Sequence, residues 1–414
     1  MTLAALEALS FGLTRMAEAA TASGHRLTLL TGDRSVYRHE LSTLPAGALD
    51  IVDVDTTDLA AVRRALTAIP DLAGLINTTD TWSVPAADLA VEFGLPGPDP
   101  TAVRLLRDKA RVREALYSAG LSRGTAAVVE PHPDSAAAVL ERVGLPAVLK
   151  DSAGTSSRAV WIVRDRDALH AALAEAAGTV LTGRLFAEPF LAGPLYSAET
   201  LSWPGETRLL GVSSRQTSRT PAVREEGAAF PVALPPDELR AVEEWVGRVL
   251  AVAGHDQGFA HVEFVLTAHG PELVEINRRI GGALVAEALC RALRTNVYEA
   301  MTQATLGLRP ALLDLPREDP GPAVAFVLVY ADTPGVLLDW SGLDGLPAFP
   351  GAVEWYPVRA PGDAVPYVED QRGCTGMVLA EATTAELAQH RAWSAATTVR
   401  PVLKTAAPTA PEGR

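Results

Sequence analysis

The sequence predicts an α/β protein in three parts: a small parallel sheet covered by helices, a mixed α+β body, and a small strand-rich C-terminal lobe. Three observations carry that expectation. Up to Gly97 apolar runs alternate with helical patterns, and proline-rich breaks fall at 94–100 and 310–322. Within the body, Gly258 to Gly282 (GFAHVEFVLTAHGPELVEINRRIGG) reads as two period-two runs around a turn at His269, Gly270 and Pro271. The chain has 414 residues, 48% hydrophobic and 21% charged, which fits two to four folded domains and excludes disordered and collagen-like classes. A net charge of -14 argues against nucleic acid or an anionic membrane as the main partner. No apolar run reaches the roughly 20 residues of a membrane span, and Met1 to Gly12 lacks a basic leader, so the expectation is a cytoplasmic protein. Cys290 and Cys374 have neither disulfide nor zinc spacing and are expected to be buried.

Residues 1–97 predict strand and helix in alternation. LAALEAL, RLTLLTG, DIVDVD and GLINTTD are the strands, with helices at Arg15–Ser23 and about Leu59–Ile69 between them. Gly32, Asp33, Thr79 and Asp80 follow strand ends, where ligands bind such sheets and where ordinary loop residues also sit. There is no GxGxxG, so dinucleotide binding is unsupported.

Beyond GLPGPDP, Asp108–Gly120 predicts a helix ending at a glycine cap. A strand at TAAVVE and a helix at Asp134–Val143 lead to AVLKDSAGTSSRAVWIV, a strand delivering Lys150, a small-residue loop and a returning strand. Such a loop lets backbone N–H groups approach phosphate while the lysine supplies a point charge; it is also an ordinary hairpin tip. Only Lys109, Lys150 and Lys404 are lysines among the 36 basic residues, so each invites a reason. A helix at Asp165–Ala177 and two strands around Gly193 and Pro194 follow. Arg215–Pro231 is polar and turn-rich, which predicts a cover over an active site. Its Arg215, Arg219 and Arg224 are either a clamp for a second carboxylate or solvated side chains. Helices are expected at Asp237–Ala253, Ala283–Ala304 and Thr384–Thr397, and a frayed tail at the end. The expected division is 1–97, 98–309 with a lid at about 122–184, 310–404, and a disordered tail at 405–414.

In the Gly258–Gly282 hairpin Glu275 and Asn277 share a face, and antiparallel pairing brings Glu263 near them. Taken alone, this supports two readings. Two close carboxylates call for a hard dication such as Mg2+, or they decorate a wet face beside Arg278 and Arg279.

DKARVREAL, GLPAVLKDSAGTSS, FAEPFLAGPLYSAET and HVEFVLTAHGPELVEINRRIGG, in that order, resemble the ATP-grasp superfamily, and more narrowly its carboxylate-amine ligases of the amino-acid (dipeptide) ligase type. The resemblance covers about Leu95–Arg309 and extends loosely over both ends. It implies an ATP-grasp fold with a lid, and ATP with one or two Mg2+ ions, Mn2+ being an alternative. Lys109 and Lys150 would hold phosphates under the loop Ser152, Gly154, Thr155, Ser156 and Ser157. Glu188, Pro189, Phe190 and Leu191 would form the adenine hinge. Glu263, Glu275 and Asn277 would bind metal, Arg279 the transferring phosphoryl group, and Gly281 and Gly282 developing oxyanion charge at a helix N-terminus. Glu225 and Arg215 would meet substrate. Leu195 replaces an acidic residue that many relatives use for ribose, leaving Glu199 on the same strand as the substitute; Ala228 replaces a frequent histidine, and the RxQVEH ending of biotin carboxylases is absent. The activity implied is ATP-dependent amide formation between a small carboxylate and an amine through an acyl phosphate, in a chain expected to form a homodimer. The alternatives are another ATP-grasp reaction, such as a carboxylate kinase or carboxyphosphate-forming enzyme, and a non-catalytic nucleotide-binding regulator.

Overall fold

The computed structural model describes residues 1–156, 158–218, 223–316 and 321–404. The first sheet is wholly parallel. It comprises β1 (Thr2–Leu6), β2 (Arg26–Thr31), β3 (Asp50–Asp53) and β4 (Leu72–Ile76), in the order β3-β2-β1-β4. The central strand β1 is buried at every residue because helices cover both faces. Leu3 and Ala5 pack toward helix Leu13–Ala22, and Ala4 and Leu6 toward Val62, Leu66, Ala86 and Leu89.

A second sheet, in the order β5-β8-β6-β7, is formed by β5 (Ala127–Val128), β6 (Ala147–Asp151), β7 (Val160–Val163) and β8 (Leu185–Pro189). Helices Ala136–Arg142 and Arg166–Ala177 pack behind it. A lid ending at 184 would cut off β8, which pairs with both β5 and β6.

The body supplies β9 (Leu195–Trp203), β10 (Glu206–Thr217), β11 (Glu225–Phe230), β12 (Gly258–Thr267) and β13 (Gly270–Asn277). The C-terminal part supplies β14 (Ala323–Tyr330), β15 (Gly335–Ser341), β16 (Glu354–Pro357), β17 (Ala364–Val365), β18 (Cys374–Ala382) and β19 (Arg400–Lys404). Strands from both parts join in one antiparallel sheet, β13-β12-β9-β10-β11-β14-β18-β16, while β17-β15-β19 form a small separate sheet. The strand-rich lobe expected after residue 310 is therefore continuous with the body through the β11–β14 pairing.

The stretch Arg215–Pro231, expected to be a cover loop, is instead largely strand. Arg215–Thr217 ends β10, Glu225–Phe230 is β11, and the two pair directly, Ser214 with Ala229 and Arg215 with Ala228. Arg215 and Glu225 reach from the sheet into a cavity, so their charge marks an inward functional face rather than a loop.

Period-two alternation gives the long sheet two faces. Val262 and Phe264 on β12, with Ala198, Val212 and Ile276, pack against helix Pro236–Val252 through its stripe Val242, Trp245, Val246, Val249 and Leu250. Fully burying one such side chain stabilises the fold by about 1.5–3 kcal/mol. The alternate residues of β12, His261 and Glu263, face the other way, toward the functional site.

Candidate active site

The carboxyl edge of the parallel sheet, the four-stranded sheet and the front face of the long sheet enclose a cavity of about 580 Å3. On the β12–β13 hairpin Glu263 lies directly opposite Glu275 and His261 opposite Asn277. Asn277 Nδ2 donates to Glu275 Oε1 at 2.8 Å, and Lys109 Nζ lies 3.0 Å from Glu275 Oε2. Lys109 begins helix Lys109–Ser118, whose N-cap Asp108 accepts the Arg111 N–H; its ammonium also donates to the Gly154 carbonyl at 2.7 Å. Burial opposes charge on Glu275, but Lys109, the Asn277 bond and Lys150 outweigh it and hold the carboxyl well below the usual range. Glu263 is also held low, burial being outweighed by Arg215 despite the neighbouring Glu275.

Among the described residues no group of three or more His, Cys, Asp or Glu side chains is placed to hold a metal by itself. Two ionised carboxylates and an amide on adjacent strands are instead the partial oxygen shell that Mg2+ completes with phosphate oxygens and water. The residues present fit that ion.

Lys150 projects from β6, its ammonium 2.6 Å from Glu188 Oε1 and 3.2 Å from the Val274 carbonyl. Arg113 Nε and Nη2 donate to the other Glu188 oxygen at 3.0 and 2.8 Å. Burial opposes charge on Glu188, yet Arg113 and Lys150 keep it below the ordinary range. One carboxylate thus ties Lys150 on β6 to Arg113 on helix Lys109–Ser118. Pro189, Phe190 and Leu191 continue along the same wall, with Leu195 beyond them.

Arg279 comes from the segment after β13 and crosses to the parallel sheet. Its Nε and Nη2 both donate to Asp80 Oδ2, at 2.8 and 2.5 Å, just beyond β4. Gly282 lines the cavity beside it. Gly281 does not; a Cβ there would lie 2.5 Å from Val285 Cγ1 and 2.9 Å from His261 Nδ1, so glycine permits close packing. The following helix, Val285–Ala292, starts three residues after Gly282 rather than at the glycines.

Three charged side chains surround His261. Its Nδ1 sits 2.9 Å from Glu199 Oε2, and its Nε2 2.9 Å from Arg215 Nη1 and 3.3 Å from Glu263 Oε1. Burial pushes the imidazole toward neutrality, but Glu199 prevails and raises it to about 9. Arg215 Nη2 approaches Glu225 Oε1 to 3.0 Å without the alignment of a hydrogen bond, leaving that buried oxygen with no hydrogen-bond partner. Burial raises the Glu225 carboxyl against the pull of Arg215.

Lys109, Lys150, Gly154, Thr155, Ser156, Glu188, Pro189, Phe190, Leu191, Arg215, Glu225, Glu263, Glu275, Asn277, Arg279 and Gly282 therefore share one cavity. Three expected site residues do not line it. Ser152 Oγ accepts the Arg184 N–H and pins the loop base. Glu199, expected as the ribose substitute, lies beneath His261, where the hydroxyls of Ser197 and Ser213 also donate to it. Gly281 is the third. Thr79 and Asp80 reach the cavity; Gly32 and Asp33 do not. Arg224 stacks 4.0 Å from the Tyr330 ring and pairs with Glu226, so it serves the fold rather than a clamp. Ser157, Arg219 and the tail 405–414 lie outside the described residues. Asp80's role, Arg113 and His261 escaped the sequence reading, although His261 shares a strand face with Glu263 and was findable by alternation.

Comparison with known proteins agrees with this build. Residues 143–287 match the ATP-grasp domain family, and residues 327–404 match the L-amino acid ligase C-terminal domain 2 family. An uncharacterized protein of Sinorhizobium fredii is 26% identical over 343 residues, 79% of this chain and 67% of that protein. Carnosine synthase 1 of Mus musculus is 27% identical over 266 residues, 59% of this chain, which spans only about a third (32%) of that enzyme's length. The crystal structure of an L-amino acid ligase from Bacillus licheniformis superimposes with a TM-score of 0.81 over 98% of this chain and 99% of that one, at 20% identity, a likeness of fold. Residues 143–287 are thus an ATP-grasp domain, and the chain shares its fold with an L-amino acid ligase along nearly its whole length.

Proposed function

We propose that this chain is an ATP-dependent carboxylate-amine ligase. It activates an amino acid or similar carboxylate as an acyl phosphate and passes the acyl group to an amine, with release of ADP and phosphate. The observation that carries this reading is the convergence of Glu263, Glu275, Asn277, Lys109, Lys150 and Arg279 on one cavity. A carboxylate and an ammonium do not condense at neutral pH, because each is in its unreactive charge state. Phosphorylation turns the carboxylate oxygen into a leaving group.

Each cationic residue then has a task. Lys109 and Lys150, held by Glu275 and Glu188 in the structure described, exchange those partners for phosphate oxygens when nucleotide enters. Arg279, its plane fixed by Asp80, pairs with the transferring phosphoryl group. Pro189 and Leu191 offer a backbone carbonyl and N–H to adenine; proline is acceptable at the first because only its carbonyl is used. Thr155 and Ser156 close over the phosphates and keep out water that would hydrolyse the acyl phosphate. Glu225, ion-paired with Arg215 but with one oxygen free of hydrogen bonds, receives the substrate's ammonium. Glu263, Glu275 and Asn277 would hold Mg2+, which would supply charge neutralisation at the phosphates.

The test is ADP release with a panel of amino acids and amines, with mass detection of the amide. ADP release that needs a carboxylate but yields no amide with any amine would favour a carboxylate kinase, and nucleotide binding without turnover would favour a regulator. Glu275→Ala is expected to lower turnover about 1,000-fold or more. Full activity in that variant would sink the assignment.

A further inference from the structure

The front face of the long sheet changes chemistry along its length, and the change falls inside the cavity. Register places Glu275 beside Glu263, and Asn277 beside His261 and Glu199. Arg215 then faces Ala228 on β11, Ala228 faces Phe326 on β14, and Leu328, two residues on, faces Met377 on β18. Up to Arg215 this face is charged; the register partners that follow it, Ala228, Phe326, Leu328 and Met377, are apolar. Leu328, Met377 and Cys374 line the cavity and are 6%, 5% and 4% exposed. Phe11, in the loop after β1, closes the same end and is itself held edge-on by Tyr356 at 5.6 Å.

At the junction between the two zones stand Arg215, Glu225 and Gln371. Gln371 donates to Glu225 Oε2 at 3.1 Å, while Glu225 Oε1 is buried without a hydrogen bond. That oxygen has Arg215 Nη2 at 3.0 Å as its ion-pair partner and retains hydrogen-bond capacity for a donor from a ligand. A nucleotide offers nothing to the apolar walls beyond it, since its phosphates belong with the lysines and Arg279. A charged substrate side chain there would be stripped of water with no partner, whereas an aliphatic or aromatic one would gain from burial.

We propose that this end of the cavity is a side-chain subsite, walled by Leu328, Met377, Cys374 and Phe11, for an amino-acid substrate with an apolar side chain whose ammonium is met by Glu225. The inference rests on the ligase reading and adds the substrate class.

The experiment uses the full chain with ATP and Mg2+. ADP release is measured with glycine, alanine, valine, leucine, methionine, phenylalanine, aspartate and lysine, singly and in pairs, and hydroxylamine trapping reports which member is activated. The expected result is a kcat/KM for leucine, methionine or phenylalanine about 100-fold above aspartate or lysine. Leu328→Ala and Met377→Ala are expected to lower the value for leucine about tenfold and to shift preference toward phenylalanine. Turnover that favours charged amino acids, or a ranking untouched by both substitutions, would overturn the subsite and leave the ligase reading standing. No ADP release with any amino acid would overturn both. Should an alanine variant fail to fold, the wild-type ranking and the near-isosteric Met377→Leu decide the matter; that variant is expected to keep the apolar preference.

Discussion

Arg279 serves phosphoryl chemistry only if its guanidinium plane is set before the substrate arrives, and a single carboxylate oxygen of Asp80 sets it. The pair is only partly exposed, so its cost of desolvation is offset by two charge-assisted bonds. Asp80→Asn keeps the shape and removes the charge. It is expected to lower kcat about 10- to 100-fold while KM for ATP changes less than twofold, with partial rescue by Asp80→Glu. Equal losses in kcat and ATP affinity would instead mark a merely structural role. Asp80 and Arg279 are 199 residues apart, and nothing local in either stretch announces the other. The two lysines were legible for a different reason, because scarcity itself singles them out in an arginine-rich chain.

At the level of elements, local alternation was readable and long-range pairing was not. The β12–β13 hairpin and the β-α alternation of the first sheet declare themselves by period. The end of β10 and all of β11 read as loop because Arg215 and Glu225 put charge on an inward face, a departure from the usual pattern that occurs where a sheet face lines a site. The joint between β11 and β14 links segments about a hundred residues apart, and Gly227 makes it close: a Cβ there would lie 2.7 Å from the Phe326 carbonyl oxygen. Gly227→Ala is therefore expected to push the strands apart and cost about 1–3 kcal/mol, read as a lower urea midpoint at unchanged slope. Because β11 also carries Glu225, KM for the amino-acid substrate should rise with it. An unchanged midpoint would show that the joint yields easily.

The three parts of the molecule meet at one ion network behind the cavity. Arg15, on helix Leu13–Ala22 of the first part, donates to both oxygens of Glu287, and Glu287 accepts from Arg291 at 2.7 Å on its own helix. Arg291 reaches on to Glu354 on β16 and Glu381 on β18, at 2.8–2.9 Å, with the Tyr356 hydroxyl beside them. Burial works against ionisation of Glu287 and Glu354, but Arg15 and Arg291 prevail at the first, and Arg291 with Tyr356 at the second; both carboxyls are held below their usual range. A lowered folded pKa stabilises above the unfolded value of about 4.3 and ceases to do so as pH falls through the folded one. Arg291→Leu should thus cost about 2–3 kcal/mol at pH 7, less than a fully buried pair because Glu354 is half exposed. The deficit should shrink as pH drops below about 4, where wild type loses the same contribution. Urea unfolding of both proteins from pH 7 to pH 3 measures it directly. A deficit constant across that range would mean that Arg291 acts through packing alone, and that apolar contact rather than charge joins the first helix to the long sheet.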